Sequence, residues 1–339
     1  MKDTKGTFYP ENNQKINTHT RVQSLLIKDI KTLGTSKALE KLAKIKRGRE
    51  LSYPKGVILR WEKENSKKYC VELSESADFN NVLTYITSRN SLHLNNLKVG
   101  QTYFWRVDGG ETRVFNTENN KYRFIKVNGA HNVRDVGGIN IKQGLVYRGS
   151  DIVGDYKISN QGKKVFCEDL KIKTEINLRK DGPEERDFTY KNNFVKYVRL
   201  PYRPYIESFE EEHKNGLKEI MNFLSKEENY PVYIHCIGGA DRTGMIAIFL
   251  RAILDESDED ILIDYELTSL SNYALGLAEG VKETGGFRNR KDDYFQEFLL
   301  ELNKYAPNKP LKEQIKAFLI DCGITTDCMD KIVAILKSK

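Results

Sequence analysis

The segment VYIHCIGGADRTGMIAIFL (232–250) joins a strand-like run of β-branched and aromatic residues to a helix-like run that is apolar on almost every side. An apolar helix of this kind has to lie inside a domain rather than on its surface. Gly238 and Gly239 in the short turn permit the backbone dihedrals that such a sharp connection needs. The segment therefore predicts a domain in which strands and helices alternate around a buried centre.

The same alternation continues through residues 121–339, which we predict to form an α/β domain with a mainly parallel sheet flanked by helices. Runs such as KTEINLR and FVKYVRLP have the length and composition of strands. Ser257 followed by Asp260 is typical of a helix N-terminus. One helix-like segment has a single apolar stripe at i, i+3, i+4 and i+7, formed by Leu217, Ile220, Met221 and Leu224.

Residues 51–118 follow a different period, because apolar and polar residues alternate there in short runs separated by Asn, Ser, Asp and Gly. This pattern predicts an N-terminal all-β, immunoglobulin-like sandwich. Leu97, Gly100 and Tyr103 resemble the turn of fibronectin type III domains in which a tyrosine folds back onto the chain. Such a module implies either a binding surface for a protein partner or a spacer or lid, and the fold alone does not choose between them.

Residues 1–50 are polar and rich in lysine, and we predict an N-terminal arm that contains one helix. In SKALEKLAKIKRG, which ends at Gly48, Leu39, Leu42 and Ile45 recur at a spacing of three residues. The sequence leaves open whether this helix docks on a domain or frays.

Composition excludes several classes of protein. With 39% hydrophobic and 30% charged residues in 339, the chain has the composition of a globular protein, and no apolar run predicts a membrane span. The net charge of +7 suits anionic ligands, but no helix combines basic clusters with the aromatic residues that would favour nucleic acid. The first fifteen residues lack the apolar core of a secretion signal. No spacing typical of a zinc site links the five cysteines, Cys70, Cys167, Cys236, Cys322 and Cys328.

Cys236 stands where the predicted strand ends and the helix begins, at the edge of an α/β sheet where ligands bind. Backbone amides before a helix have no partners within the helix, and in a glycine-containing turn they can surround a tetrahedral anion. Arg242 can bind two oxygens of that anion with its guanidinium. An ordinary thiol needs about 3–4 kcal/mol of stabilisation to ionise at neutral pH, and a helix terminus supplies only about 0.3–2 kcal/mol. The amides, the Thr243 hydroxyl and Arg242 can supply the rest, although a structural cysteine is the simpler alternative.

The series His235-Cys236-x5-Arg242-Thr243-Gly244 resembles the signature of cysteine-dependent protein tyrosine phosphatases. HNVRDVGGINIKQGLVYRGSDI (131–152) resembles the opening segment of bacterial phosphatases whose loop reads His-Cys-x-x-Gly-Lys-Asp-Arg-Thr-Gly. The resemblance covers about residues 121–336, and it implies a phosphatase-like fold and hydrolysis of phosphomonoesters without metal or cofactor.

By this resemblance, Cys236 attacks phosphorus to form a phosphocysteine, and Arg242 with the loop amides binds the phosphate oxygens. Asp241 is implied as the general acid, with Asp181 as the second choice. His235 is expected to order the loop, and Arg179 and Arg134 either line the phosphate site or form ion pairs. The remaining residues that we expect to bind substrate are Ile237, Gly238, Gly239, Ala240, Thr243 and Gly244.

Two positions depart from the bacterial pattern. Ala240 replaces the loop lysine, which removes a cation that could bind further phosphates of an inositol ring. Asn177 replaces the aspartate of an Asp-Leu-Arg motif, so a role that needs a carboxylate there is lost.

We therefore expect a protein tyrosine or dual-specificity phosphatase that acts on a phosphorylated protein or a small phosphomonoester. A phytase-like phosphatase of inositol phosphates or phosphoinositides is the first alternative, and an inactive phosphate-recognition protein is the second. A nucleophilic thiolate has to stay reduced, which favours the cytoplasm, while the fibronectin-like module keeps a secreted or cell-surface location open.

Overall fold

The computed structural model describes residues 8–46, 49–63, 68–154, 157–181, 188–271 and 293–338. The chain divides into two compact units, Met1–Thr20 with Pro54–Arg123, and Arg21–Tyr53 with Phe124–Lys339. The units thus alternate along the chain, and the consecutive domain limits given above stay a prediction. Within the described ranges, no helix has both the length and the apolar character that are needed to cross a bilayer.

The first unit is built from strands, and in some of them, such as Val57–Arg60, buried and exposed side chains alternate as the period of two predicts. The strands are β1 (Gln14–Ile16), β2 (Val57–Arg60), β3 (Tyr69–Ser74), β4 (Val82–Thr87), β5 (Ser91–Leu94), β6 (Thr102–Val107) and β7 (Arg113–Thr117). They form a five-stranded sheet in the order β1-β7-β6-β3-β4 and a two-stranded sheet of β2 and β5. Trp105 and Phe115 are fully buried in the core of this unit.

The second unit contains a seven-stranded sheet, which confirms the predicted mixture of strands and helices. Its strands are β8 (Arg123–Phe124), β9 (Arg134–Asp135), β10 (Val146–Gly149), β11 (Thr174–Asn177), β12 (Phe188–Tyr190), β13 (Asn193–Arg199) and β14 (Val232–His235). The order is β12-β13-β11-β14-β10-β9-β8. The four central strands β13, β11, β14 and β10 are parallel, whereas β12 and β9 pair antiparallel with their neighbours. Parallel neighbours require long crossover connections, and α4 lies in the connection from β11 to β14.

The α-helices of the described chain all lie in this second unit. They are α1 (Arg21–Leu33), α2 (Thr35–Lys46), α3 (Asn160–Lys164), α4 (Glu211–Leu224), α5 (Asp241–Ile253), α6 (Asp258–Glu266), α7 (Asp293–Asn303), α8 (Leu311–Asp321) and α9 (Thr326–Leu336). The question about the N-terminal helix is resolved, because α2 buries Leu39 and Leu42 within the unit and is therefore docked. Gly48, the predicted end of that helix, lies outside the described residues.

The core of the second unit surrounds α5, which is buried from Thr243 to Ile253. The predicted stripe of α4 is buried at all four of its positions, and Ser257 accepts from the amide of Asp260 at 3.2 Å as the cap predicts. Burying one large apolar side chain contributes about 1.5–3 kcal/mol. The extensive burial around β14 and α5 therefore holds the connection between them in a rigid frame.

Candidate active site

Cys236 follows the central strand β14, and the turn that it begins leads into α5. His235, the last residue of β14, is paired with Gly149 on one neighbouring strand and Asn177 on the other. The cysteine loop, which we define as residues 236–242, therefore starts at the carboxyl edge of parallel strands, where the sequence predicted it. Cys236 is 5% exposed, so its sulfur lies at the floor of the loop.

The surroundings of Cys236 favour its thiolate form. Burial by itself raises the pKa of a thiol, because the charged form loses hydration. Here the side chain and amide of Thr243, the charge of Arg242 and the amide of Ala240 outweigh burial, and the pKa of Cys236 lies below its ordinary value. The Thr243 hydroxyl is buried and, among the described residues, has no other hydrogen-bond partner than this sulfur. The loop thus favours the ionised form of this thiol inside the protein.

The curvature of the cysteine loop depends on Gly239. Its φ of +64° lies in the left-handed region, and a Cβ atom there would stand 2.2 Å from the backbone of Gly149. No residue with a side chain fits so close to a neighbouring strand. Glycine at this position lets the loop turn tightly against the end of β10.

The carbonyl groups of the loop are held from outside. The Asn132 side-chain amide donates to the carbonyls of Gly238 and Gly239 at 3.1 and 3.0 Å, and Arg148 donates to Gly239 O at 2.9 Å. On the other side of the loop, the amide of Asp151 donates to the carbonyl of Ile237 at 2.8 Å. With the carbonyls bound in this way, the loop amides are left for the concave side, where an oxyanion can accept from them.

A buried arginine cluster lies behind these contacts. The Asp264 carboxylate is 3.3 Å from Arg134, 2.7 Å from Arg148 and 3.6 Å from Arg251, and Arg251 is 3.7 Å from Glu256. Burial would raise the pKa of Asp264, but the three guanidinium groups hold it well below the usual range. Arg148 of this cluster also donates to the loop and interacts with the charge of Cys236, so it places positive charge where an anion would be favoured. Arg134 is fully buried in this cluster, so its position is that of an ion-pair partner.

His235 lies beneath the loop and is completely buried. Its Nδ1 is 2.9 Å from the carbonyl of Cys236, which can only accept, so Nδ1 carries a proton and donates. Its Nε2 is 2.7 Å from Glu175. Ligand atoms of Asp151, Glu175 and His235 lie within 4.8 Å of one another, as a metal site would require. Hydrogen bonds explain this proximity equally well, because His235 is paired with Glu175, and Asp151 with Arg179 at 3.1 Å.

Asp241 is half-buried at the first position of α5. The hydroxyl of Tyr205 donates to its Oδ1 and also lies 2.8 Å from the hydroxyl of Tyr265. Tyr205 has a φ of +62°, which is unfavourable for a residue with a side chain, by about 1–3 kcal/mol. The surrounding structure thus holds Tyr205 in a strained conformation against Asp241. No pattern in the sequence distinguished this tyrosine from its neighbours.

The other predicted site residues differ in their burial and in what they contact. Arg242 is half-buried next to Asp241, and Ala240 is 1% exposed and contributes no charge. A methyl group at Gly244 would stand 3.3 Å from the Tyr265 ring, so close packing accounts for that glycine. Asp181 is exposed, and the structure brings it into none of the contacts described above.

The structure gives a physical reason for Asn177. Its Oδ1 accepts from the amide and from Nε of Arg179, at 3.0 and 3.3 Å, while its Nδ2 donates to the hydroxyl of Tyr197 at 3.0 Å. An amide both donates and accepts, whereas an ionised carboxylate only accepts. Asn177 thereby orients Arg179, which is paired with Asp151 next to the cysteine loop.

Comparison with known proteins supports a cysteine-based phosphatase. A family model described as "Tyrosine phosphatase family" matches residues 125–305, which is more than half of the chain. Two solved structures are similar, the core catalytic domain of PP-IP phosphatase SIW14 from S. cerevisiae in complex with citrate and the Siw14 catalytic core. Their identities are 17% and 16% and their TM-scores 0.29 and 0.28, and each match covers 50% of this chain and 94% of the other. No curated protein matches the sequence. On the extent of the family match, the chain belongs to the tyrosine phosphatase family.

Proposed function

We propose that the protein hydrolyses phosphomonoesters through a phosphocysteine at Cys236, and that phosphotyrosine in proteins is its first substrate class. The observation that carries this proposal is the lowered pKa of a buried cysteine at the floor of an anion-binding loop. A structural cysteine in an apolar site has a raised pKa, as Cys322 does, whose pKa burial raises to about 12.

The reaction has two steps. Between them, Cys236 changes from nucleophile to leaving group, and Asp241 changes from general acid to general base. The thiolate attacks phosphorus and an S–P bond forms, while the P–O bond to the leaving group breaks and the leaving oxygen takes a proton from Asp241. Water then attacks the phosphocysteine and gives a proton to the Asp241 carboxylate, and the S–P bond breaks to restore the thiolate. Arg242 and the loop amides bind the phosphate oxygens in both steps, and the Thr243 hydroxyl stabilises the departing sulfur.

Asp241 is our choice for the general acid, and its fixed position supports it. It belongs to the cysteine loop and is held by Tyr205, while Asp181 is exposed. A general acid contributes roughly 100–10,000-fold to the rate when it reaches the leaving oxygen. An acid that is part of the loop needs no mobile segment to bring it there.

The substrate class is argued from charge. Ala240 is buried and neutral, so the loop itself offers the single cation of Arg242 to a phosphate group. One guanidinium together with the amides matches a phosphomonoester better than a ring that carries several phosphates. Inositol phosphates and phosphoinositides are therefore the alternative substrates, and phosphate recognition without turnover is the further alternative.

A substrate panel tests this proposal. We expect the full chain to release phosphate from phosphotyrosine peptides in the presence of EDTA, and the Cys236→Ser variant to release none. Phosphoserine peptides, inositol hexakisphosphate and phosphoinositide vesicles are measured in parallel. A preference for an inositol substrate would replace the proposed class. If Cys236→Ser binds phosphopeptide and wild type shows no turnover at any pH, the protein recognises phosphate without hydrolysing it.

We also propose that the first unit is a fibronectin type III-like sandwich that binds a protein partner. Two sheets and a tyrosine whose hydroxyl accepts from the amide of Lys98 at 2.8 Å support this. The hydrogen bond joins Tyr103 to the chain five residues upstream, as in a tyrosine corner.

A reduced thiolate at Cys236 fits a cytoplasmic location, and cell fractionation would test that assignment.

A further inference from the structure

Lys46, the last residue of α2, is buried to an unusual degree for a lysine. It is 1% exposed, and its Nζ donates to the carbonyl of Ser269 at 2.9 Å and to that of Ser271. Burial lowers the pKa of Lys46 to about 8, against the opposing charge of Glu50. A lysine at a helix end is normally solvated, so its burial on two carbonyl groups marks a specific attachment of α2 to residues 269–271.

Glu50, four residues after Lys46, joins two separate segments of the same unit. Its Oε2 is 3.0 Å from His131 Nδ1 and accepts from the hydroxyl of Ser271 at 3.0 Å. Its Oε1 accepts from the amide of Ser52 at 2.9 Å, which fixes the carboxylate against its own chain. A half-buried carboxylate with three such contacts restrains both partner segments together.

These two segments carry the residues that hold the cysteine loop. Asn132 follows His131 directly, and its side-chain amide donates to the carbonyls of Gly238 and Gly239. The same amide lies 3.4 Å from the Thr268 hydroxyl, one residue before the carbonyl that Lys46 binds. A displacement of either segment would therefore move the amide of Asn132 and change the shape of the loop.

We propose that Lys46, at the end of the helical hairpin formed by α1 and α2, and Glu50, four residues later, are positioning residues of the cysteine loop. Both residues lie outside the range of the family match, which begins at residue 125. The inference rests on the proposed function, because it assumes that the loop is the site of phosphoryl transfer. It assigns the hairpin a role in the reaction rather than in stability alone.

The test compares Glu50→Ala and Lys46→Met with a variant that destabilises the unit elsewhere. Ile332→Val removes one buried methyl group in α9, a helix that contains no residue of the loop or of the hairpin. We measure kcat and KM on p-nitrophenyl phosphate, the rate at which iodoacetate carboxymethylates Cys236, and Tm. Iodoacetate is an anion that alkylates thiolates, so its rate reports the condition of the loop without requiring turnover.

We expect Glu50→Ala and Lys46→Met to lower kcat about 10–100-fold and to slow carboxymethylation of Cys236 by a similar factor, because small displacements at a reacting centre have effects of this size. Ile332→Val should keep both rates within about twofold of wild type, at a Tm comparable to those of the two test variants. Glu50→Gln keeps one oxygen acceptor, which can serve the amide of Ser52, and replaces the other oxygen by an NH2 group that only donates, so we expect it to recover part of both rates. It also provides the answer if the alanine variant fails to fold.

Unchanged carboxymethylation and kcat in Glu50→Ala and Lys46→Met, with only Tm lowered, would overturn the proposal, and Glu50→Gln takes the place of Glu50→Ala if the alanine variant does not fold. A wild-type protein that hydrolyses no phosphomonoester would refute the proposed function instead. The carboxymethylation rates of wild type and variants would then still decide whether the hairpin positions the loop.

Discussion

The hydroxyl of Tyr205 donates a hydrogen bond to Oδ1 of Asp241, from a backbone conformation with a φ of +62°. A second contact of 2.8 Å joins the same hydroxyl to that of Tyr265. One oxygen of the carboxylate is thus fixed by a strained residue from another part of the chain. Strain of this kind persists where the surrounding structure enforces it, and it is concentrated at functional sites.

Asp241→Asn should affect poor leaving groups far more than good ones. The amide cannot supply a proton, so we expect phosphotyrosine hydrolysis to fall about 100-fold or more, and hydrolysis of a nitrophenyl phosphate much less. Steady-state kinetics on the two substrates measure the difference. Equal losses would assign Asp241 to the structure of the loop, and Asp181→Asn serves as the matched variant of the second candidate.

Tyr205→Phe removes only the hydroxyl that holds Asp241. We expect a loss in kcat of about 10–100-fold on phosphotyrosine, since a hydrogen bond to a charged group contributes about 1.5–3 kcal/mol. In the double variant with Asp241→Asn the two losses should not add, because both act through one proton donor. Additive losses would show that Tyr205 acts independently of the acid.

Gly239→Ala should disrupt the loop beyond the cost of its dihedral. Its added methyl would stand 2.2 Å from the backbone of Gly149. Gly109 in the first unit is the control, because its φ is +71° and, among the described residues, nothing lies within 4 Å of a Cβ built there. We expect Gly109→Ala to lower the free energy of unfolding by about 1–2 kcal/mol without loss of activity. Gly239→Ala should lose activity as well, and a retained kcat would contradict the tight approach of loop and strand.

The pH dependence of alkylation should distinguish Cys236 from the other cysteines. Its pKa is lowered, so its thiolate forms below the ordinary pH range for thiols, whereas burial raises the pKa of Cys167 to about 11. Thr243→Val removes a donor to the thiolate and should move the alkylation midpoint of Cys236 upward by about one unit. Mass spectrometry of the labelled peptides gives the midpoints. An unshifted midpoint in the variant would exclude Thr243 as a cause.

The same shift predicts a change of stability with pH. A lowered pKa in the folded state means that the Cys236 thiolate stabilises folding at high pH. This contribution is lost as the pH falls through the folded pKa, so Cys236→Ser should differ from wild type less at acid than at alkaline pH.

Tyr103→Phe tests the tyrosine corner of the first unit. The hydroxyl accepts from the amide of Lys98, and its removal leaves that donor unpaired. We expect the free energy of unfolding of this unit to fall by about 1–2 kcal/mol, with catalytic activity unchanged. Urea denaturation followed by tryptophan fluorescence measures the change, and an unaltered transition would argue against a corner.

Local patterns were sufficient to predict the elements that carry Cys236. The apolar character of α5, the stripe of α4 and the cap at Ser257 follow from propensity and periodicity within a few residues. The place of Cys236 between β14 and α5 follows in the same way.

Contacts between distant segments could not be predicted in this way. Tyr205 reaches Asp241 across 36 positions and Glu50 reaches His131 across 81, and neither residue belongs to a local pattern. Glu175 is a charge inside an apolar strand, and only the three-dimensional structure shows that it pairs with His235. The alternation of the two units along the chain likewise depends on how segments pack.

Trapping of the covalent intermediate tests the central claim most directly. The protein is mixed with a phosphotyrosine peptide, quenched in acid within milliseconds and digested, and the peptide that contains Cys236 is examined by mass spectrometry. We predict a phosphate group on Cys236 in wild type and none in the Cys236→Ser variant. Rapid turnover with no phosphate on that cysteine at any quench time, or with a phosphate on another residue, would contradict a phosphocysteine mechanism.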